Sequence, residues 1–134
     1  MKLLVTVLGR AVPQGSLSHG RGGYAYWPKR VKAWRSLVAA EAARAMKASG
    51  LPLFDGRTAV SMRFYMQPAK GGKRPGVILA DLDKLVRAVL DSLTDTVLAD
   101  DVIVNTLLAS KQPVEPSEME RVEVTCYLPS VTTV

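Results

Sequence analysis

The sequence predicts an α+β fold, β-α-β-α-β-β in order, in which a four-stranded mixed sheet carries two helices on one face. Three observations lead there. Residues 58–66 and 121–128 alternate apolar with polar side chains, the period of half-buried strands. Two longer segments, from residue 29 and from residue 82, repeat their apolar positions at the period of amphipathic helices. The 134 residues form a single domain, 1–134. A chain of that size buries roughly two thirds of its unfolded surface, and one helix layer on one sheet is the economical way to do so.

Residues 2–8 read as the first strand. Residues 9–28, GRAVPQGSLSHGRGGYAYWP, are rich in Gly, Ser and Pro and read as a long loop closed by a short hairpin. The first helix runs from Lys29 to about Ser49, with Val31, Trp34, Val38, Ala42 and Ala45 as its apolar stripe; Gly50 and Pro52 end it. In the strand 58–66, Val60, Met62, Phe64 and Met66 face the core. A Gly/Pro/Lys loop over 67–80 leads to the second helix, from Leu82 or Asp83 to about Asp95, with Leu82, Leu85, Val86, Val89, Leu90 and Leu93 inward. Residues 102–110 form a strand that is apolar on both faces, which points to burial beyond one helix layer. In the last strand Val122, Val124, Cys126 and Leu128 face in.

Composition excludes several classes. One cysteine and one histidine rule out an internal disulfide and a Cys/His zinc site. The start, MKLLVTVLGR, lacks a signal-peptide pattern, and no apolar run reaches membrane-spanning length, so a cytoplasmic setting is expected. Charge is the informative quantity. Residues 1–80 hold fourteen Lys/Arg against two acids, residues 81–101 two against six, and residues 102–134 two against four, for a net of +6. A basic N-terminal half of this kind suits a polyanion partner.

Half of the twelve acidic residues lie in DLDKLVRAVLDSLTDTVLADD, residues 81–101. Asp81 and Asp83 stand where the chain enters the second helix, and in an extended entry segment residues two apart point the same way. A helix N-terminus welcomes one such charge as a cap, yet leaves the second unexplained. Asp100 and Asp101 precede the next strand; if that strand runs beside the helix start, all four carboxylates converge. Converging carboxylates repel unless a cation neutralises them, and a few carboxylates with waters suit Mg²⁺, with Mn²⁺ as a substitute. Arg87 lies four residues from both Asp83 and Asp91 on one helix face. It suits either an ion-pair ladder, with Asp91 as its partner, or a guanidinium placed on a phosphate. A basic protein with a carboxylate–metal centre suggests phosphodiester hydrolysis. A non-catalytic DNA-binding module and a metal-dependent nuclease or phosphatase acting on unbranched substrates remain open alternatives.

The same residues resemble the RusA-type Holliday-junction endonucleases. Asp81 and Asp83, then Leu90-Asp91-Ser92-Leu93, then Asp100-Asp101 and Lys111 follow that family's order of a D-x-D, an apolar helix, a D-D pair and a strand ending in lysine. GRAVPQGS and the basic KRVKAW helix start are also similar to the family. The resemblance implies a Mg²⁺-dependent endodeoxyribonuclease that binds four-way DNA junctions as a homodimer and resolves them by paired symmetric nicks. It implies Asp81, Asp83 and Asp101 as metal-binding and catalytic acids. Lys84 stands where the family has Asn, and Arg87 where it has the catalytic Lys; arginine keeps the charge but is a poor proton donor.

Candidate DNA contacts are Lys73 and Arg74 in the loop KGGKRPG, Lys84, and Lys29 and Arg30 at the first helix start. Tyr24, Tyr26 and Trp27 are expected to pack on the sheet or at a dimer interface rather than to stack on bases. His19, in a glycine loop, reads as a solvated residue. Lys111, ten residues beyond Asp101, lies about 33 Å along an extended strand and is left out of the metal site.

Overall fold

The computed structural model describes residues 1–129, so the last five residues of the predicted domain lie outside the described ones. Strand β1 (Lys2–Leu8) leads into a small hairpin, β2 (Ser18–His19) and β3 (Ala25–Tyr26), that lies inside the long loop. Helix α1 (Lys29–Ser49) follows, then β4 (Thr58–Met66), α2 (Leu82–Leu93), β5 (Val104–Pro113) and β6 (Arg121–Tyr127). The main sheet has the order β1-β6-β4-β5, with β4 and β5 parallel and the other pairs antiparallel. The predicted mixed four-stranded α+β architecture is therefore the observed one.

Periodicity explains the packing. Val31, Trp34, Val38 and Ala42 of α1 are buried, as are Leu85, Val86, Val89 and Leu93 of α2, and all but Val31 join one core with Leu3, Val5, Val7, Val60, Met62, Phe64, Val122 and Val124. α1 stops because Gly50 adopts a left-handed conformation (φ 68°) and donates its N–H to the Met46 carbonyl at 3.0 Å. Burial pushes the Cys126 thiol up to about 12, so it is an inert core residue rather than a nucleophile.

Two expectations need correction. β5 is not doubly buried: it is the edge of the sheet, with Leu107 and Leu108 exposed. Leu128 falls just past the end of β6 and is exposed rather than inward.

The unit β4–α2–β5 sets the site. After α2 the chain turns tightly, with the Val97 and Leu98 N–H groups donating to the Leu93 carbonyl at 2.8 and 3.0 Å. Phe54 clamps this turn from the side: its N–H donates to Val97 at 2.8 Å and its carbonyl accepts from Ala99 at 2.9 Å. Phe54, Val97 and Leu98 are all buried. The return to the sheet thus starts at the C-terminal end of α2, and β5 runs back along the helix.

Candidate active site

One face of α2 forms the wall of a cavity of about 830 Å³, lined by Leu82, Asp83, Val86, Arg87, Leu90 and Asp91. Asp101, Leu107 and Ala109 close the opposite side. Helical spacing puts Asp83, Arg87 and Asp91 on that face because they are four residues apart. Asp101 reaches it from the turn before β5. The Asp100 carboxylate accepts the Val102 N–H at 3.0 Å and starts a single 3-10 turn over Asp101–Ile103, which presents Asp101.

Asp81 and Asp83 part company. The helix begins at Leu82, so residues 81 and 83 flank the first helical residue instead of lying on an extended strand, and side chains two apart on a helix diverge. Asp83 lines the cavity; Asp81 does not line it, and its carboxylate accepts from Lys84 Nζ at 3.1 Å. That contact raises the Lys84 pKa, with the charges of Asp81 and Asp83 contributing. Asp81 occupies the N-cap position but makes no side-chain cap hydrogen bond.

The four-carboxylate convergence at the helix start does not form. Asp101 lies near Asp91, eight residues and about 12 Å along the axis from Asp83. The tight, Phe54-clamped turn is the reason: it returns the chain at the wrong end of α2 for a meeting with Asp81. Among the described residues no three His, Cys, Asp or Glu side chains gather tightly enough to form a ready-made metal cage. What the cavity holds is a looser set: Asp83 toward one end, and Asp91 and Asp101 at the other. The Asp101 pKa is raised, first by the hydrogen bond that its protonated carboxyl donates to the Asp100 carboxylate, then by slight desolvation and the charges of Asp100 and Asp91. Carboxylates crowded in this way favour a cation. Mg²⁺ commonly takes one or two protein carboxylates plus waters and substrate phosphate, so the donor set fits a hard divalent ion without a closed cage.

Asp91 does not pair with Arg87 as expected. It accepts from Gln14 Nε2 at 2.5 Å. Gln14 is fully buried, and its backbone N–H donates to the Lys84 carbonyl at 3.0 Å, so the GRAVPQGS loop lies along α2 and fixes Asp91 from behind. The Gln14 Oε1 is buried with no protein partner. Nothing in the sequence marks Gln14 for this role, since a glutamine in a Gly/Pro/Ser loop reads as solvated. Arg87, released from Asp91, is exposed and has no carboxylate partner among the described residues; its guanidinium lies 5.8 Å from the Trp27 ring centroid. Trp27 packs against arginines rather than on the sheet, and Tyr24 and Tyr26 are exposed with ring centroids 5.7 Å apart.

Lys111 does not line the cavity, in keeping with its distance from Asp101 along the strand, but it has a partner that this distance does not reveal. Because β5 runs back along α2, its end meets the helix start. Lys111 Nζ donates to the carbonyls of Ile78 at 2.7 Å and Ala80 at 3.0 Å, the residues that lead into Asp81. Hydrogen bonds from a charged donor contribute roughly 1.5–3 kcal/mol each. Lys111→Met is therefore expected to lower unfolding stability by about 2 kcal/mol and to slow catalysis by unpinning the helix entry, as thermal melts and single-turnover kinetics would show.

The basic candidates are all exposed except Lys84, which is half-buried. Lys73 and Arg74 lie in a loop closed by the Gly76 N–H donating to Ala69 at 2.8 Å and the Ala69 N–H to Val77 at 2.9 Å; Lys29 and Arg30 open α1. His19, in β2, is exposed and outside the cavity. For Asp101, a carboxyl-carbon NMR titration of the metal-free protein should give a midpoint raised from the ordinary aspartate value. Asp100→Asn removes the first cause and should move that midpoint down, so that Asp101 stays ionised to lower pH.

A basic α+β domain that lines a cavity with aspartates and an unpaired arginine has the parts of a phosphodiester-cleaving enzyme acting on nucleic acid. A family model for the endodeoxyribonuclease RusA matches residues 10–127, and the chain belongs to this family of Holliday-junction-resolving endodeoxyribonucleases. A search of curated proteins gave no match.

Proposed function

We propose that the protein resolves four-way DNA junctions by paired, symmetric, Mg²⁺-dependent nicks, acting as a homodimer. The observation that carries this is one cavity lined by Asp83, Asp91, Asp101 and Arg87, in a chain of the RusA family. Asp83 and Asp101, which line the cavity, would supply carboxylates to the ion and its waters; Asp81, which meets Lys84 outside the cavity, would not. The ion, Mg²⁺ or Mn²⁺ in its place, would activate water and neutralise phosphate charge. Arg87 supplies a fixed positive charge to the developing negative charge on phosphate. Gln14 holds Asp91 in place. Lys73, Arg74, Lys84, Lys29 and Arg30 bind the DNA backbone and set its register. Two symmetric nicks need two active sites, which a two-fold dimer supplies; the exposed apolar edge strand β5 is a surface suited to such a contact. No helix among the described residues is long and apolar enough to cross a membrane, and a cytoplasmic location fits an enzyme that acts on DNA.

The test is nicking of a synthetic four-way junction and of linear duplex, each with Mg²⁺ and with EDTA. Junction nicking in opposed strands, lost in EDTA, is the expected result. Equal nicking of both substrates would indicate an unselective nuclease. Binding without nicking would indicate a non-catalytic DNA-binding module.

A further inference from the structure

Asp91 is the wall between two cavities. One is the carboxylate cavity; the other, of about 460 Å³, lies between α1 and the end of α2 and is lined by Lys32, Arg35, Ser36, Asp91, Thr94 and Thr96 among others. The second has the opposite character. Lys32, Arg35 and Ser36 follow the i, i+3, i+4 spacing, so the start of α1 turns a polar, cationic face toward α2. Neither Lys32 nor Arg35 has a carboxylate partner among the described residues, and the cavity's acid, Asp91, is occupied by Gln14. Thr94 donates its hydroxyl proton to the Leu90 carbonyl at 3.1 Å, which leaves the Ser36 and Thr96 hydroxyls as uncommitted donors. Two cations and two hydroxyls around one cavity are complementary to a phosphodiester.

The two cavities are also joined through Trp27. Its ring centroid is 5.7 Å from the Arg35 guanidinium and 5.8 Å from that of Arg87, so one aromatic ring braces a cation of each cavity. A strand laid across Asp91 would therefore meet positive charge on both sides of that aspartate.

We infer that the Lys32–Arg35–Thr96 cavity is a second DNA-phosphate site, which holds a phosphate flanking the scissile one on the cleaved strand. This rests on the nuclease reading, since the first phosphate is the one cut in the Asp83–Asp101 cavity. The site positions the strand and takes no part in the chemistry.

The experiment uses four-way junctions carrying a single neutral methylphosphonate at each position around the nick. Binding and nicking are measured for the wild type, Lys32→Ala, Arg35→Ala, Arg35→Lys and Thr96→Val. For the wild type, one flanking methylphosphonate is expected to weaken binding about tenfold. Lys32→Ala and Arg35→Ala should bind the unmodified junction more weakly and lose sensitivity at that one position, while Arg35→Lys keeps it. Each alanine variant should also lower the slope of log affinity against log salt by about one. Lys32→Ala leaves the Trp27 ring untouched, so it reports the site even if Arg35→Ala disturbs folding. A wild type that nicks junctions while Lys32→Ala keeps every methylphosphonate sensitivity overturns the second site alone. A wild type that neither binds nor nicks junctions overturns the nuclease reading and this inference together.

Discussion

Asp83→Asn is expected to reduce junction nicking by roughly a thousandfold or more while leaving junction binding unchanged or tighter. Asp83 is exposed, lies in the first turn of α2 and lines the cavity. The amide is nearly isosteric, so packing is undisturbed, but a negative ligand for a divalent ion is lost. Removing that charge also removes repulsion toward the phosphate, and binding should hold or improve. Single-turnover nicking and gel-shift titration on the same junction separate the two effects. Loss of binding in parallel with nicking would make Asp83 a structural residue. Asp81→Asn is the companion measurement. Asp81 meets Lys84 outside the cavity, so an equal loss of nicking there would place Asp81 among the ion's ligands. A small loss would confine its role to Lys84.

The second large effect concerns Arg87. Arg87→Ala should slow nicking by roughly 10²–10³-fold, the scale for removal of a fixed charge that stabilises a transition state. Arg87→Lys should retain most of the rate. The guanidinium has no carboxylate partner among the described residues and is held by the Trp27 ring, so its charge is available to a phosphate. Arginine presents a fixed charge at this position rather than a proton donor. Equal rates for the alanine and lysine variants would exclude Arg87 from the mechanism.

Much of the molecule was legible in one dimension. The stripe Val31–Trp34–Val38–Ala42, the alternation Val60–Met62–Phe64–Met66 and the turn residues Gly50 and Pro52 located α1 and β4 correctly. The placement of Asp83, Arg87 and Asp91 on one helix face was legible for the same reason. What failed were inferences across gaps. Extended-chain geometry was applied to Asp81 and Asp83, but the helix begins between them. Distance along the strand keeps Lys111 out of the cavity but gives no sign that a strand doubling back on a helix brings its far end to that helix's start. Gln14 was invisible because its partner is seventy-seven residues away.

By itself the sequence determined the element order, the core faces, the charge asymmetry and which acids exist to bind a cation, because each depends on local period or on composition. Tertiary structure alone decided which acids share a cavity, that Asp91 is held by Gln14 and not by Arg87, and that Asp91 divides an acidic cavity from a cationic one. Those outcomes depend on how a clamped turn and a long loop return to α2, and no local pattern encodes where a loop comes back.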